Sequence, residues 1–138
     1  VEEVLDATEL IVPAVEIIDS RYKDFKFDLI SVQADNSSST RFVIGGRAAR
    51  PEEFDWGTRG VVMTKNGEVV ELGAGAAVLD HPAASVAMLA SMLSERDEII
   101  PAGTFIMTGG ITAAVLVEAG DSIVVRYQDM GDVSMKFV

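Results

Sequence analysis

The dipeptide Asn66-Gly67 constrains this chain more than any other feature. It separates Val61-Val62-Met63-Thr64-Lys65 from Glu68-Val69-Val70-Glu71-Leu72. A two-residue type I′ turn needs positive φ at both central positions, and Asn followed by Gly adopts that geometry at least cost. The flanking runs are rich in β-branched and apolar residues, so the spacing predicts a hairpin over 61–72. A lone hairpin is marginal in water and needs further strands. Candidates are Ser122 to Tyr127 and Val133 to Val138, separated by the turn Met130-Gly131-Asp132. Arg41 to Gly45 and Thr104 to Thr108 read as further strands, and Phe25 to Leu29 alternates as a strand or extended segment. Ile11 to Ile18 is apolar on both faces, as in a buried strand.

Helical spacing is sparser. Glu2 to Leu10 reads as a helix end, with Val4, Leu5 and Leu10 apolar and acids at Glu2, Glu3 and Asp6. Asp80-His81-Pro82 opens a second helix, with Asp80 as its cap and Pro82 in its first turn. Val86, Leu89, Ala90 and Leu93 form its expected buried stripe, Met88 and Met92 pack with it, and Pro101-Ala102-Gly103 closes the unit. The fold class is therefore α+β and β-rich, lacking the regular β-α alternation of a doubly wound sheet.

The 138 residues are 49% hydrophobic, enough for one domain with a core. Eleven basic against 22 acidic residues give a net charge of -11, which argues against nucleic acid and anionic membrane surfaces as partners. With no cysteine, disulfides, thiolate catalysis and zinc-thiolate sites are excluded, and the composition fits a cytoplasmic setting. The N-terminus is acidic, unlike a secretory signal, and no apolar run reaches the ~18 residues that a span needs.

Glu16 is the chemically conspicuous residue, because it lies inside the apolar run Val12-Pro13-Ala14-Val15-Glu16-Ile17-Ile18. A carboxylate buried there needs compensation. It is either a ligand for a hard cation such as Mg²⁺ or Mn²⁺, or an ion-pair partner of Arg21, Lys26 or Arg41. Arg21 could clamp a carboxylate, or neutralise Asp19 or Glu16. The run Asp35-Asn36-Ser37-Ser38-Ser39-Thr40 could hold a substrate carboxylate or order a water, or be a turn closed by its own side chains. His81, the sole histidine, fits capping or packing better than general-base chemistry. Thr108-Gly109-Gly110 offers either an anion nest or a tight turn. Gly73-Ala74-Gly75 lacks the context of a dinucleotide loop.

Several of these segments resemble a known family. Pro13-Ala14-Val15-Glu16-Ile17-Ile18-Asp19-Ser20-Arg21 and Ala34-Asp35-Asn36-Ser37-Ser38-Ser39 carry the likeness. So do Gly73 to Leu79, His81-Pro82-Ala83-Ala84, Phe105-Ile106-Met107-Thr108-Gly109 and Gly120-Asp121. Together they resemble the 4-oxalocrotonate decarboxylase and 2-hydroxypentadienoate hydratase family, within the fumarylacetoacetate hydrolase superfamily. Tyr22 to Leu29, Met107 to Thr112 and Val125 to Gly131 are more similar to its decarboxylase branch.

The resemblance implies a mixed, strongly curved sheet or β-roll with one or two short helices. It implies a divalent metal, Mg²⁺ or Mn²⁺, held by three carboxylates, of which Glu16 matches one. The other two belong to a Glu-x-Glu motif with no counterpart here, and the family's catalytic lysine has none either. Residues 1–138 are accordingly expected to be a single domain and the C-terminal half of a longer enzyme, inactive alone.

The implied reaction is decarboxylation of 2-oxo-3-hexenedioate, a dicarboxylic keto acid of aromatic catabolism, with hydration by the same family as the alternative. Ser38 and Asn36 are the implied catalytic groups. Ser38, Arg21, Thr108 and Gly109 are the expected substrate contacts. The implied partners are further copies of the chain or the paralogous hydratase. A non-catalytic subunit is a third reading.

Overall fold

The computed structural model describes residues 1–138. Its centre is the expected hairpin, β3 (Gly60–Lys65) and β4 (Glu68–Ala74), with Asn66 and Gly67 at φ 53° and 91°. The hairpin tip is stitched to the next strand. Asn66 Nδ2 donates to Asp121 (2.7 Å), and Asn66 Oδ1 accepts from the Ser122 N–H (2.9 Å). Strands β5 (Ser122–Tyr127) and β6 (Gly131–Lys136) complete a four-stranded sheet of order β4-β3-β5-β6. A separate ladder pairs β1 (Ala14–Ile18) with β2 (Ser39–Ile44). The α+β, strand-rich class is as expected. Within it every ladder is antiparallel, and the strands form two open sheets.

Two small cores hold the elements together. Val61, Ile123 and Val125 are buried in the large sheet, and Val15 of β1 packs on them. Ala49, Trp56 and Met130 form the other core, with Phe54 set edge-on against Trp56. The two sheets are joined at defined points. The Tyr127 hydroxyl donates to the Ala14 carbonyl, and the Arg47 N–H donates to the Met130 carbonyl (2.6 Å). Gly46 has φ +66°, and a Cβ there would run into that same Met130 carbonyl, so only glycine suits the crossing.

Helix α1 covers Glu2–Asp6, α2 covers Leu29–Ala34 and α3 covers Pro82–Ser94. Asp28 caps α2 by accepting from the Ser31 N–H (2.7 Å). Of the strand or extended segment expected at Phe25 to Leu29, no strand forms: Lys26 and Asp28 are extended, and the capping aspartate makes Leu29 a helix start. The cap of α3 is His81, whose Nδ1 accepts from the Ala83 N–H (3.0 Å), and not Asp80, which takes a positive φ. Pro82 occupies the first turn as expected.

The stripe of α3 is not buried. Only Ala83 is, while Leu89, Ala90, Met88 and Met92 are exposed, because little of the chain lies over this helix. Residues Gly75–Ser94 are apolar enough to match a membrane span in composition. Positive φ at Leu79 and Asp80 interrupts them, and α3 itself reaches only about 20 Å, short of the ~30 Å hydrocarbon layer. Thr104 to Thr108, expected as a strand, runs without any pairing partner.

Candidate active site

Strand β1 is two-sided by its period of two. Val15 faces the large sheet. Ala14 and Glu16 pair with Ile44 and Phe42, so these four share the opposite face. That face is open. Glu16 is exposed and pairs with no cation, Phe42 is 54% exposed and Ile44 53%. The expected buried carboxylate is thus corrected. The strand is apolar on both sides, but residues 1–138 cover only one of them. Neither Arg21, Lys26 nor Arg41 neutralises Glu16.

Arg21 goes instead to Asp35, the one buried acid, whose side chain is 3% exposed. Asp35 Oδ2 accepts from the Ser38 hydroxyl (2.8 Å), the Arg21 N–H (3.3 Å) and the Ser20 hydroxyl (3.4 Å). Its Oδ1 lies 3.3 Å from Arg21 Nε. Burial alone would raise this carboxyl's pKa. The Ser38 hydroxyl, the Arg21 N–H and guanidinium charge and the Ser20 hydroxyl outweigh it and hold the value below the ordinary one. Arg21 Nη1 donates to the Asp35 carbonyl (2.8 Å) and Nη2 to the Ser39 carbonyl (3.3 Å).

The backbone around this carboxylate is unusual. Asn36, Ser37 and Ser38 have φ of 53°, 53° and 59°, three successive non-glycine residues in the left-handed region. Each such residue costs about 1–2 kcal/mol. The turn persists because its ends are tied: the Ser38 N–H donates to the Asp35 carbonyl (2.9 Å), and the Asp19 N–H to the Ser38 carbonyl (2.9 Å). The last bond sets the turn at the end of β1, where Ile18 pairs with Ser39. Glu16 therefore lies two residues, roughly 7 Å, along the strand from it.

Of the expected site residues, Arg21 and Ser38 meet at Asp35. Asn36 sits in the same turn with an exposed side chain. Ser38 is buried, and its hydroxyl proton is committed to Asp35. Thr108 and Gly109 belong to the irregular connection between α3 and β5, a length of loop that usually carries function. Its Phe105 stacks on Phe42 (centroids 5.3 Å apart) over the Glu16 face, and Gly109 has φ +104° beside Val78. No contact joins Thr108 or Gly109 to the Asp35 cluster. Asp35 itself was legible only as a turn former. Its hub role depends on Ser20 and Arg21, fifteen and fourteen residues away.

No three Asp, Glu or His side chains converge anywhere in the chain. The donor set therefore does not fit a complete divalent-metal site: one exposed carboxylate, Glu16, is a single ligand where a stable hard-cation site needs several oxygens.

This strand-rich α+β chain, with its Arg–Asp–Ser cluster at the end of the Pro-Ala-Val-Glu-Ile strand, is similar over nearly its whole length to part of the 4-oxalocrotonate decarboxylases and related hydratases. Over 136 residues it is 68% identical to the 4-oxalocrotonate decarboxylase of Pseudomonas putida, covering 99% of this chain and 52% of that protein. It is 37% identical to the 2-oxo-hept-4-ene-1,7-dioate hydratase of Escherichia coli, covering 99% and 53%. In structure it matches the 4-oxalocrotonate decarboxylase from Pseudomonas putida G7 complexed with magnesium and adipate, with a TM-score of 0.96 and 67% identity over 99% of this chain and 52% of that one. A second structure of that enzyme, complexed with calcium and acetate, gives 0.93. The chain spans about half the length of the curated relatives it matches. No family model matches it.

Proposed function

We propose that residues 1–138 act as the C-terminal part of a longer enzyme that decarboxylates 2-oxo-3-hexenedioate (4-oxalocrotonate) to 2-hydroxypenta-2,4-dienoate in the meta-cleavage breakdown of aromatic compounds. One observation carries the choice of branch. Identity to decarboxylases reaches 68%, against 34–38% for the hydratases.

Surface area supports the incomplete unit. The chain exposes 9280 Å², whereas a compact monomer of 14.7 kDa exposes about 6,900 Å². The excess, roughly 2,300 Å², is on the scale of an obligate interface. The open Glu16–Phe42–Ile44 face and the exposed side of α3 contribute to it.

In this enzyme Arg21 binds a substrate carboxylate, Ser38 holds Asp35 and through it Arg21, and Asn36, Thr108 and Gly109 add polar contacts that orient the chain of the keto acid. Loss of the far carboxyl as CO₂ leaves an electron pair that delocalises through the conjugated carbons to the 2-oxo oxygen, where a proton is taken up. A divalent cation, Mg²⁺ or Mn²⁺, supplies positive charge near that oxygen when bound. Glu16 is the one ligand residues 1–138 would offer it, and the further oxygen ligands would have to come from outside them. The enzyme works in the cytoplasm, as an oligomer of itself or with the paralogous hydratase.

The test is Glu16→Gln in the complete polypeptide, followed by CO₂ release from 2-oxo-3-hexenedioate with Mg²⁺ or Mn²⁺. A loss of at least 100-fold with an unchanged melting temperature is expected. Unchanged turnover refutes the ligand assignment. A wild type that releases no CO₂ but hydrates 2-hydroxypenta-2,4-dienoate moves the protein to the hydratase branch.

A further inference from the structure

Arg21 is an exposed arginine that is nevertheless fixed. Its side chain is 55% exposed, yet Nε faces Asp35 Oδ1 (3.3 Å), Nη1 donates to the Asp35 carbonyl (2.8 Å) and Nη2 to the Ser39 carbonyl (3.3 Å). A guanidinium carries five N–H donors. Two of them are hydrogen-bonded and Nε is ion-paired with Asp35, while one donor on each terminal nitrogen remains without a protein partner. Two such donors in one planar fork match the two oxygens of a carboxylate.

Asp35 supplies two of the three restraints, one through its carboxylate and one through its own carbonyl. The same carboxylate takes the Ser38 hydroxyl (2.8 Å) and so ties down the left-handed Asn36–Ser38 turn, whose Ser39 end provides the third restraint. A free surface arginine must give up its rotamer freedom on binding a ligand. One already held does not, and its affinity rises accordingly.

We infer that Asp35 is a positioning residue: it holds the Arg21 guanidinium with two donors free, making it a preformed clamp for one carboxylate of a dicarboxylate ligand. The inference deepens the decarboxylase reading and rests on it for the identity of the natural substrate. It assigns the Arg21 clamp to discrimination between dicarboxylates and monocarboxylates of equal length. Asp35 touches no ligand itself, because its carboxylate is enclosed by Ser20, Arg21 and Ser38.

The test uses the complete polypeptide that carries these residues and two probes, adipate and hexanoate, titrated by calorimetry in the presence of Mg²⁺. The wild type should bind adipate at least 10-fold more tightly than hexanoate. Asp35→Asn removes the charge that faces Nε and turns an amide toward it, so the preference should fall below about 2-fold, with hexanoate binding almost unchanged. In an Arg21→Gln background the Asp35→Asn substitution should change adipate affinity by less than 2-fold, since the clamp is already gone.

A preference retained in Asp35→Asn overturns the inference. So does a wild type without any preference, or two substitutions whose effects simply multiply. If Asp35→Asn does not fold, Arg21→Lys decides: it keeps the charge and loses the fork, and a preserved preference for adipate overturns the clamp. Turnover of 2-oxo-3-hexenedioate by the wild type is measured separately. Its absence refutes the proposed reaction, while the adipate preference still decides the role of Asp35.

Discussion

Phe42→Ala measures whether the Glu16 face is covered in the working protein. Within residues 1–138 Phe42 is 54% exposed and touches Phe105 on one side. A phenylalanine offers roughly 200 Å² of surface. About 90 Å² of it is covered here, worth about 2.3 kcal/mol at ~25 cal/mol per Å². Covering the remaining ~110 Å² adds about 2.7 kcal/mol, for a total near 5 kcal/mol, at the upper end of the range for deleting a buried phenylalanine. The assay is urea unfolding of the complete polypeptide and its variant. With a slope of about 3 kcal/mol per M, a covered face lowers the midpoint by roughly 1.6 M and an open one by about 0.8 M. A loss at or below about 2.5 kcal/mol, the open-face value, refutes the reasoning that assigns the excess surface to a partner half.

Three further outcomes follow from the geometry. Tyr127→Phe removes the hydroxyl that holds Ala14 and should cost about 1 kcal/mol at neutral pH. Burial raises the Tyr127 phenol above its ordinary pKa of about 10. Its contribution is therefore full below pH 10 and fades as pH rises through the native value, and base titration of the phenylalanine variant should lack that component. Asp121, hydrogen-bonded by Lys65, Asn66 and the Glu118 N–H, has its pKa lowered to about 2. Its stabilisation is present above an unfolded pKa near 3.9 and is lost as pH falls toward 2. Acid unfolding of Asp121→Asn should accordingly show a shallower pH dependence between 4 and 2. Gly46→Ala forces a side chain into the left-handed region and onto the Met130 carbonyl; a cost of about 2 kcal/mol or more is expected in urea, and a loss below about 0.5 kcal/mol contradicts the close approach.

Much of the fold was legible because the relevant signals are local. Asn66-Gly67 dictates its own turn, Met130-Gly131 separates β5 from β6, and Pro82 marks a helix start. The misread elements depend on what lies across space. Thr104 to Thr108 has a strand's composition, but a strand exists only through its partner, and none is present. Val86, Leu89, Ala90 and Leu93 have a buried stripe's spacing and too little chain to bury them. Glu16 sits among apolar neighbours in sequence, yet alternation sends it to the uncovered side of β1. The site was half legible: Arg21, Asn36 and Ser38 were singled out. The hub that joins two of them, Asp35, could have been suspected from an aspartate followed by a run of hydroxyls, since such residues close turns.

Strand β5 joins β3 only after the chain has travelled from Glu68 through α3 and the irregular residues 95–121. Closing such an excursion costs entropy that grows only as the logarithm of its length, about 0.6 kcal/mol per doubling. The sheet is therefore almost indifferent to how long that excursion is. Residues could be gained or shed around Phe105, Thr108 and Gly109 at little expense to folding, which leaves the stretch over the Glu16 face free to diversify while the framework beneath it stays put.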